Sequence, residues 1–421
     1  MMLKIQGQQS AQGTVTISGS KNAALPILAA SLLFKKATLR NVPDIADIRT
    51  LLEIVESLGA KVKFEKNVLT LDNSQLSLAG MKTERVGKLR ASILLIAPLL
   101  YRLGAATLPY PGGCNIGKRP IDEHVDGLVK LGFSKLEALE GIAFSGCPAA
   151  GDVDFVVNLS VTATENLMTA SVLRLGRTTL KLAAIEPHVR DLATFLSKGG
   201  AKVSFGFDHT VTVDGVAKLA DEVDHTIVSD YIEAGTFAVL GALAGAPSID
   251  IKNARIDDLE MFYSKMEAAG VRMERLPGDT LRVFKSDRLR AVSVQTNVFP
   301  GFPTDLQSPF CVLMSQAEGI SKVQEIMFEN RLNWLVELEN MKGHMALLNP
   351  HQAMIFGKRD LRGATVNSWD LRAGVAMIIA GAIATGTTYV TNVQYIERGY
   401  EDIIGKMAGL GIKIEKVEQE G

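Results

Sequence analysis

At 421 residues the chain is long for one hydrophobic core and fits two domains of about 200 residues each. Its 47% apolar and 22% charged residues are those of an ordinary globular protein, and a net charge of −1 gives no global pull toward nucleic acid or a membrane surface, so any anion binding must come from local clusters. Cys114, Cys147 and Cys311 lack the spacing of a disulfide framework or a metal site, the start Met1-Met-Leu-Lys-Ile has no signal-peptide core, and the apolar runs 93–100 and 375–384 are too short to span a bilayer, so a cytoplasmic protein without metal is expected.

In chain order, a small alternating strand over residues 13–17 leads into Ser18-Gly-Ser-Lys-Asn-Ala-Ala-Leu-Pro, the start of an apolar helix. Lys21 and Asn22 then stand at a helix N-terminus, where backbone donors favour an anion and the lysine adds charge, although a solvated lysine would look the same. Arg85 and Arg90 precede a second apolar helix, placed to grip a phosphate or carboxylate or to form an internal salt bridge. The segment Pro111-Gly-Gly-Cys-Asn-Ile-Gly-Lys-Arg-Pro-Ile-Asp-Glu-His124 sets one cysteine among glycines, with Lys118, Arg119 and His124 downstream. Fixed positive charge favours a thiolate or holds an anion beside it, and the glycines permit a tight anion-gripping turn; a plain mobile surface loop has the same composition.

Farther on, Phe302-Pro-Thr-Asp-Leu-Gln307 places Asp305 in a confined turn, fit for a general base or an N-cap. Phe328-Glu-Asn-Arg331, Asp370-Leu-Arg372 and Glu397-Arg-Gly-Tyr-Glu401 each set an arginine beside an acid, either as internal ion pairs or as anion ligands. Walker, GxGxxG, GxSxG and HExxH patterns are absent from the sequence, which argues against P-loop, dinucleotide-binding, serine-hydrolase and zinc-protease chemistry.

One unit recurs along the chain: an amphipathic helix ending at a glycine, followed by a short alternating strand and, in several copies, a second strand. The marker glycines Gly59, Gly132, Gly200, Gly270, Gly343 and Gly411 are separated by 73, 68, 70, 73 and 68 residues. Each glycine suits a left-handed helix cap. Units of about 70 residues are too long for a solenoid repeat and too mixed for a propeller blade. Two α/β domains of three α+β units each follow, divided near Val228.

The motifs stand in one order, with Ala163-Thr-Glu-Asn, Glu186-Pro-His and Ile232-Glu-Ala-Gly-Thr between them, and over essentially its whole length the chain resembles the UDP-N-acetylglucosamine 1-carboxyvinyltransferases of the EPSP synthase superfamily. The resemblance implies a two-domain inside-out α/β barrel, with domain 1 over residues 21–228 and domain 2 over residues 1–20 and 229–421. It also implies enolpyruvyl transfer from phosphoenolpyruvate to the 3-hydroxyl of UDP-N-acetylglucosamine, with loss of phosphate, a part in peptidoglycan synthesis and no cofactor. Cys114 matches the proton donor and Asp305 the residue beside the attacking hydroxyl. Lys21, Asn22, Arg119, Arg372 and Arg398 match phosphoenolpyruvate contacts. Asn22, Arg90, Arg119, Pro120, Ile121, Asp122, Glu123, Asn158, Leu159, Ser160, Val161, Asp305 and Met327 match sugar-nucleotide contacts, and His124 a neighbour of the loop that affects its conformation.

Departures from the family pattern fall on the nucleotide side and the domain junction. Thr162 replaces a usual glycine, Asn158 a frequent lysine, and Tyr231 the arginine of Asp-Arg-Ile-Glu; His344 and Leu332 also differ. Two alternatives remain: an acceptor of the shikimate 3-phosphate type, although the Gly-Asn-Ala-Gly-Thr segment of that branch is missing, and a catalytically silent paralogue that binds a sugar nucleotide.

Overall fold

A computed structural model describes residues 1–112 and 119–418; Cys114 and its neighbours 113–118 lie outside the described residues. The chain forms two compact units, residues 19–112 with 119–228, and residues 1–18 with 229–418.

Each unit holds three sheets among the described residues, and one strand order recurs. In the sheet built on Lys36–Arg40, a parallel strand Glu222–Thr226 flanks one side and the antiparallel hairpin Lys61–Glu65 and Val68–Asp72 the other. The sheets built on Arg177–Lys181, Gly245–Lys252, Gly319–Gln324 and Thr387–Thr391 repeat that order, whereas the one built on Ala105–Leu108 lacks the parallel edge strand. Burial alternates along these strands, as in Lys36–Arg40, so each sheet turns one face inward and one to solvent. The sheets stay separate; among the described residues no run of backbone hydrogen bonds closes them into one barrel.

The inward faces close over largely buried helices: Lys21–Ala30, Ile96–Leu103 and Val161–Ser171 in one unit, and Tyr231–Ala244, Gln307–Ser315 and Leu371–Ile383 in the other; most are apolar, but Val161–Ser171 also buries Thr164, Glu165, Asn166, Thr169 and Ser171. Every residue from Gln307 to Ser315 is buried, as a helix enclosed on all sides requires. The helices that carry the repeat pattern are instead amphipathic; Ala46–Ser57 buries Ile48, Leu51, Leu52, Ile54 and Val55 at helical spacing.

Five marker glycines take the expected left-handed conformation, with φ of +97° at Gly59, +102° at Gly132, +105° at Gly200, +94° at Gly270 and +89° at Gly411. The fifth unit differs. There the helix Leu335–Asn340 is capped at Met341, so Lys342 takes the left-handed position at φ 68° instead of Gly343. Gly343 is constrained by proximity: a Cβ on it would stand 2.7 Å from the Leu338 carbonyl oxygen.

Two strand exchanges tie chain order to this architecture. Ala11–Thr16 pairs in parallel with Gly245–Lys252, yet the chain leaves it for the helix Lys21–Ala30 of the other unit; Glu222–Thr226 pairs with Lys36–Arg40 and then leads into Tyr231–Ala244. The last sheet draws its central strand from the opposite end of the sequence, with Met2–Gln6 between Thr387–Thr391 and Ile414–Val417. Leu3 and Ile5 are fully buried there. Ile5→Ala should therefore lower unfolding free energy by roughly 2–5 kcal/mol, read from the shift in urea midpoint, and the strand Ile414–Val417 should lose amide-exchange protection ahead of the other strands.

Candidate active site

In the unit containing residues 229–418, three enclosed helices start close together. Asp230 Oδ1 accepts from the amides of Ile232 (2.9 Å) and Glu233 (3.2 Å), capping Tyr231–Ala244. Asp370 Oδ1 accepts from the amides of Arg372 (2.7 Å) and Ala373 (3.0 Å), capping Leu371–Ile383. The turn Thr304–Leu306 starts the third, Gln307–Ser315, and packs against Gly235, where a Cβ would lie 2.5 Å from Leu306 Cδ1. A glycine there lets the segment that carries Asp305 approach the Asp230 end of its neighbour.

Asp305 is held between two guanidiniums. Arg331 Nη2 lies 2.7 Å from Oδ1, and Arg372 Nε donates to Oδ2 at 3.1 Å. The arginine side chains are 4% and 1% exposed, while Asp305 keeps 26%, so the carboxylate is the member of the trio that solvent or a ligand reaches. Burial alone would push its carboxyl up, but Arg331 and Arg372 outweigh that and hold it well below the usual carboxylate range.

Arg331 Nη1 also donates to Thr304 Oγ1 at 3.1 Å, and Thr304 in turn donates to Glu325 Oε2 at 2.7 Å. Glu325 is fully buried and takes Thr296 Oγ1 at 2.8 Å and the Met327 amide at 2.7 Å. Arg372 stacks on Tyr400 at 5.1 Å, and its Nη2 stands 4.0 Å from Asp230 Oδ2. The Thr236 hydroxyl donates to Ile232 O, so the Tyr400 phenol donates to Thr236 Oγ1 at 3.0 Å. Two buried donors, Arg372 Nη1 and Arg331 Nε, have no hydrogen-bond partner. Arg398 is half-buried at the end of the turn Val393–Arg398, two residues from Tyr400.

In the other unit, Ser20 caps the helix whose first residue is Lys21, and Lys21 Nζ meets Asp47 Oδ2 at 2.7 Å with both side chains nearly buried. Asn22 is half-buried beside it. Arg90 donates to the Pro120 carbonyl at 2.8 Å; burial and the neighbouring Arg119 pull its guanidinium down to about 10. The charge of Arg119 adds to that of Arg90, and Glu123 offsets part of it. Ile121, Asp122 and Glu123 follow at the N-terminus of Asp122–Lys130. Asn158 and Leu159 adopt left-handed φ of 54° and 57°, turning the chain into Ser160 and the helix Val161–Ser171. Consecutive non-glycine residues in that region are strained, and such strain gathers at ligand sites.

Against known proteins, the chain matches the family described as EPSP synthase (3-phosphoshikimate 1-carboxyvinyltransferase) over residues 5–407. It belongs to the EPSP synthase family. Among relatives, it is 42% identical to UDP-N-acetylglucosamine 1-carboxyvinyltransferase 2 of Carboxydothermus hydrogenoformans over 98% of each chain. It is 40% identical to UDP-N-acetylglucosamine 1-carboxyvinyltransferase of Finegoldia magna over 100% of this chain and 99% of the relative. The fold superposes on the enolpyruvyl transferase NikO from Streptomyces tendae with a TM-score of 0.88 at 23% identity, over 98% of each chain. An EPSP synthase from Acinetobacter baumannii gives 0.75 at 15% identity, over 99% of this chain and 100% of that one. Both likenesses support the inside-out α/β architecture.

Within this EPSP synthase family chain the expected site residues fall into two sets. Lys21, Asn22, Arg90, Arg119, Pro120, Ile121, Asp122, Glu123, Asn158, Leu159, Ser160 and Val161 lie in one unit, and Asp305, Met327, Arg372 and Arg398 in the other. Asp305 and Arg372 are in direct contact. Residue order alone leaves Arg331 as one of three arginine–acid neighbours, shows Tyr400 only as a member of Glu397-Arg-Gly-Tyr-Glu401 and gives no sign of Glu325; Asp230-Tyr-Ile-Glu233 does carry a capping signature. Cys311 is buried, and burial pushes its thiol up, which makes it an inert core residue; Cys147 is exposed. Among the described residues no helix is long and apolar enough to cross a membrane, and no three His, Cys, Asp or Glu side chains gather as a metal site.

Thr162, the residue that departs from the family glycine, has a partner. Asn166 Nδ2 donates to His124 Nδ1 at 3.1 Å, which leaves Nε2 as the protonated nitrogen, 3.2 Å from Thr162 Oγ1. His124 is 1% exposed; burial, helped by Arg90, pulls its pKa from an ordinary 6.5 to about 3. The folded chain therefore refuses a proton that the unfolded chain accepts. Stability from this site is complete above about pH 6.5 and is lost as pH falls toward 3, at roughly 1.4 kcal/mol per pH unit. Urea unfolding of wild type and His124→Gln between pH 7 and 4.5 should show the variant with the flatter dependence.

Proposed function

We propose that the protein transfers the enolpyruvyl group of phosphoenolpyruvate to the 3-hydroxyl of UDP-N-acetylglucosamine and releases phosphate, in the cytoplasm, at the entry to peptidoglycan synthesis. The observation that carries this reading is the 42% identity over 98% of both chains with a relative named for that sugar nucleotide. The Asp305 cluster supports it, because it offers an ionised, partly exposed carboxylate beside buried cations, which suits a hydroxyl acceptor meeting an anionic donor.

In the addition step Cys114 gives its proton to the methylene carbon of phosphoenolpyruvate, the sugar oxygen bonds to the adjacent carbon, and Asp305 takes the hydroxyl proton. The product is a tetrahedral phosphate adduct. Elimination breaks the carbon–oxygen bond to phosphate and returns a methyl proton to the enzyme, which restores the double bond. Lys21, Asn22, Arg119, Arg372 and Arg398 meet the carboxylate and phosphate, where cationic donors stabilise charge that builds as the donor carbon becomes positive. Asn22, Arg90, Arg119, Pro120, Ile121, Asp122, Glu123, Asn158, Leu159, Ser160, Val161 and Met327 hold the sugar nucleotide, with Asp305 beside its reacting hydroxyl.

Phosphate release from phosphoenolpyruvate, measured with UDP-N-acetylglucosamine and separately with shikimate 3-phosphate, tests the reading. Turnover is expected with the first alone, and turnover with the second alone would transfer the assignment to the other branch of the family. Cys114→Ser should stop release while Cys114→Asp, another acid, retains it. Asp305→Asn should lower kcat by about 10²–10⁴ with little change in KM. Lys21→Ala should raise KM for phosphoenolpyruvate and leave that for the sugar nucleotide nearly unchanged.

A further inference from the structure

The start of the helix Lys21–Ala30 is held from outside the helix by a short chain of hydrogen bonds that ends on a buried carboxylate. The Ser20 amide donates to the Val228 carbonyl at 2.7 Å, and the Val228 amide donates to Asp191 Oδ2 at 3.1 Å. The other carboxylate oxygen, Oδ1, lies 3.0 Å from His225 Nε2. Asp191 belongs to the helix Pro187–Lys198 and His225 to the strand Glu222–Thr226, and their side chains are 4% and 3% exposed. Both oxygens of Asp191 thus serve the segment 225–228, where the strand runs out toward Val228.

Two observations show that this helix start is closely placed. Gly19 runs so near Asn41 that a Cβ on it would stand 1.7 Å from the Asn41 carbonyl oxygen, and Asn41 Nδ2 donates to the Ile227 carbonyl at 2.9 Å. Lys21 is 8% exposed, so its stem is packed, and Nζ, 2.7 Å from Asp47 Oδ2, goes where the backbone at residues 20–21 puts it. The fastening is costly. Asp191 is a buried carboxylate, and His225 Nδ1 is buried without a hydrogen-bond partner, a penalty that apolar side chains joining the same helix and strand would not carry. What apolar packing cannot supply is an acceptor for the Val228 amide.

We propose that Asp191 is a positioning residue for phosphoenolpyruvate: through Val228 and Ser20 it fixes the helix start that presents Lys21 to the anionic donor. The proposal rests on the functional reading above, in which Lys21 meets that anion, and deepens it by adding a residue that acts only through others. His225 orients the carboxylate from its far side. Without the carboxylate the Val228 amide loses its buried acceptor, the carbonyl that receives Ser20 is free to turn, and Lys21 Nζ shifts against its ligand. A misplacement of about 1 Å at such a site costs up to about 10²-fold. The expected sugar-nucleotide contacts Arg90 and Leu159 are held by other bonds, to the Pro120 and Leu182 carbonyls, so the loss falls mainly on one substrate.

The test is the kinetics of phosphate release from phosphoenolpyruvate with UDP-N-acetylglucosamine, in wild type, Asp191→Ala, Asp191→Asn, Lys21→Ala and the double variant Asp191→Ala/Lys21→Ala, each checked for folding by circular dichroism. Asp191→Ala removes both acceptors and should raise KM for phosphoenolpyruvate by about tenfold or more, with KM for the sugar nucleotide within about threefold. Asp191→Asn keeps an oxygen for the Val228 amide, and His225 can turn a lone pair to the new NH2 by changing tautomer, so KM should return to within about threefold of wild type. Because Asp191 acts through Lys21, the double variant should show the KM of Lys21→Ala alone. A wild-type KM for phosphoenolpyruvate in folded Asp191→Ala, even with a lowered melting temperature, marks a purely structural role and overturns the proposal. Effects of the two substitutions that multiply in the double variant overturn it as well, as does an Asp191→Asn as damaged as Asp191→Ala. If Asp191→Ala fails to fold, Asp191→Glu, which moves the carboxylate by one methylene, decides: a raised KM for phosphoenolpyruvate supports the proposal and a wild-type KM overturns it. A wild-type protein that releases no phosphate with UDP-N-acetylglucosamine, or a Lys21→Ala with unmoved KM for phosphoenolpyruvate, would instead sink the functional reading, and this inference with it.

Discussion

A helix enclosed by sheets on every side has little room for an unpaired polar side chain, and that constraint organises this protein. The helices Lys21–Ala30, Tyr231–Ala244 and Leu371–Ile383 are built mainly from Ala, Gly, Leu, Ile and Val, so the polar groups that serve them gather at their first turns. The first turn is also where backbone N–H groups lack partners and the helix dipole is positive. Ser20 and Lys21, Ser160, Asp230, Asp305 and Asp370 all stand at such starts. In the unit of residues 229–418 the helix starts lie close enough for Arg372 to touch Asp305 and approach Asp230. The site is where an inside-out fold leaves room for charge.

Much of this was legible in the sequence because repetition leaves a periodic record. The marker glycines announce the units through a single dihedral demand, and they locate the amphipathic helices even where local pattern is weak. The fifth unit shows the limit: a helix capped one residue early moves the left-handed position to Lys342, and Gly343 survives for its missing side chain rather than its φ. Strand partners were less legible. Nothing local in Met2–Gln6 says that it lies beside Ile414–Val417, because that pairing comes from closing a repeat across the two ends of the chain.

Among site residues, the legible ones sit in motifs with unusual composition. Asp305 stands out between a proline turn and an amide, and Lys21 at a helix start. Glu325 does not stand out at all, since a lone acid after a strand is unremarkable until Thr296, Thr304 and Met327 are seen to converge on it. Thr162 was visible as a departure from family pattern, but its consequence, a hydrogen bond to a buried neutral His124, needs the fold to bring residues 38 positions apart into contact.

Charge compensation recurs in each unit. A buried cation without an anion is expensive, and in both units the protein supplies a carboxylate of its own: Asp47 against Lys21, Asp305 against Arg331 and Arg372. These pairs orient the cations, with much of their water already removed during folding. Any anion approaching these cations competes with a carboxylate rather than with bulk solvent. That competition favours a ligand whose charge density and geometry match the fork it takes over, and it disfavours singly charged anions that offer less than the resident aspartate. The two pairings differ in access: Asp47, at the start of an amphipathic helix, is almost fully buried with Lys21, whereas Asp305 keeps 26% exposure beside two buried guanidiniums, so the same electrostatic device is closed in one unit and open to solvent in the other.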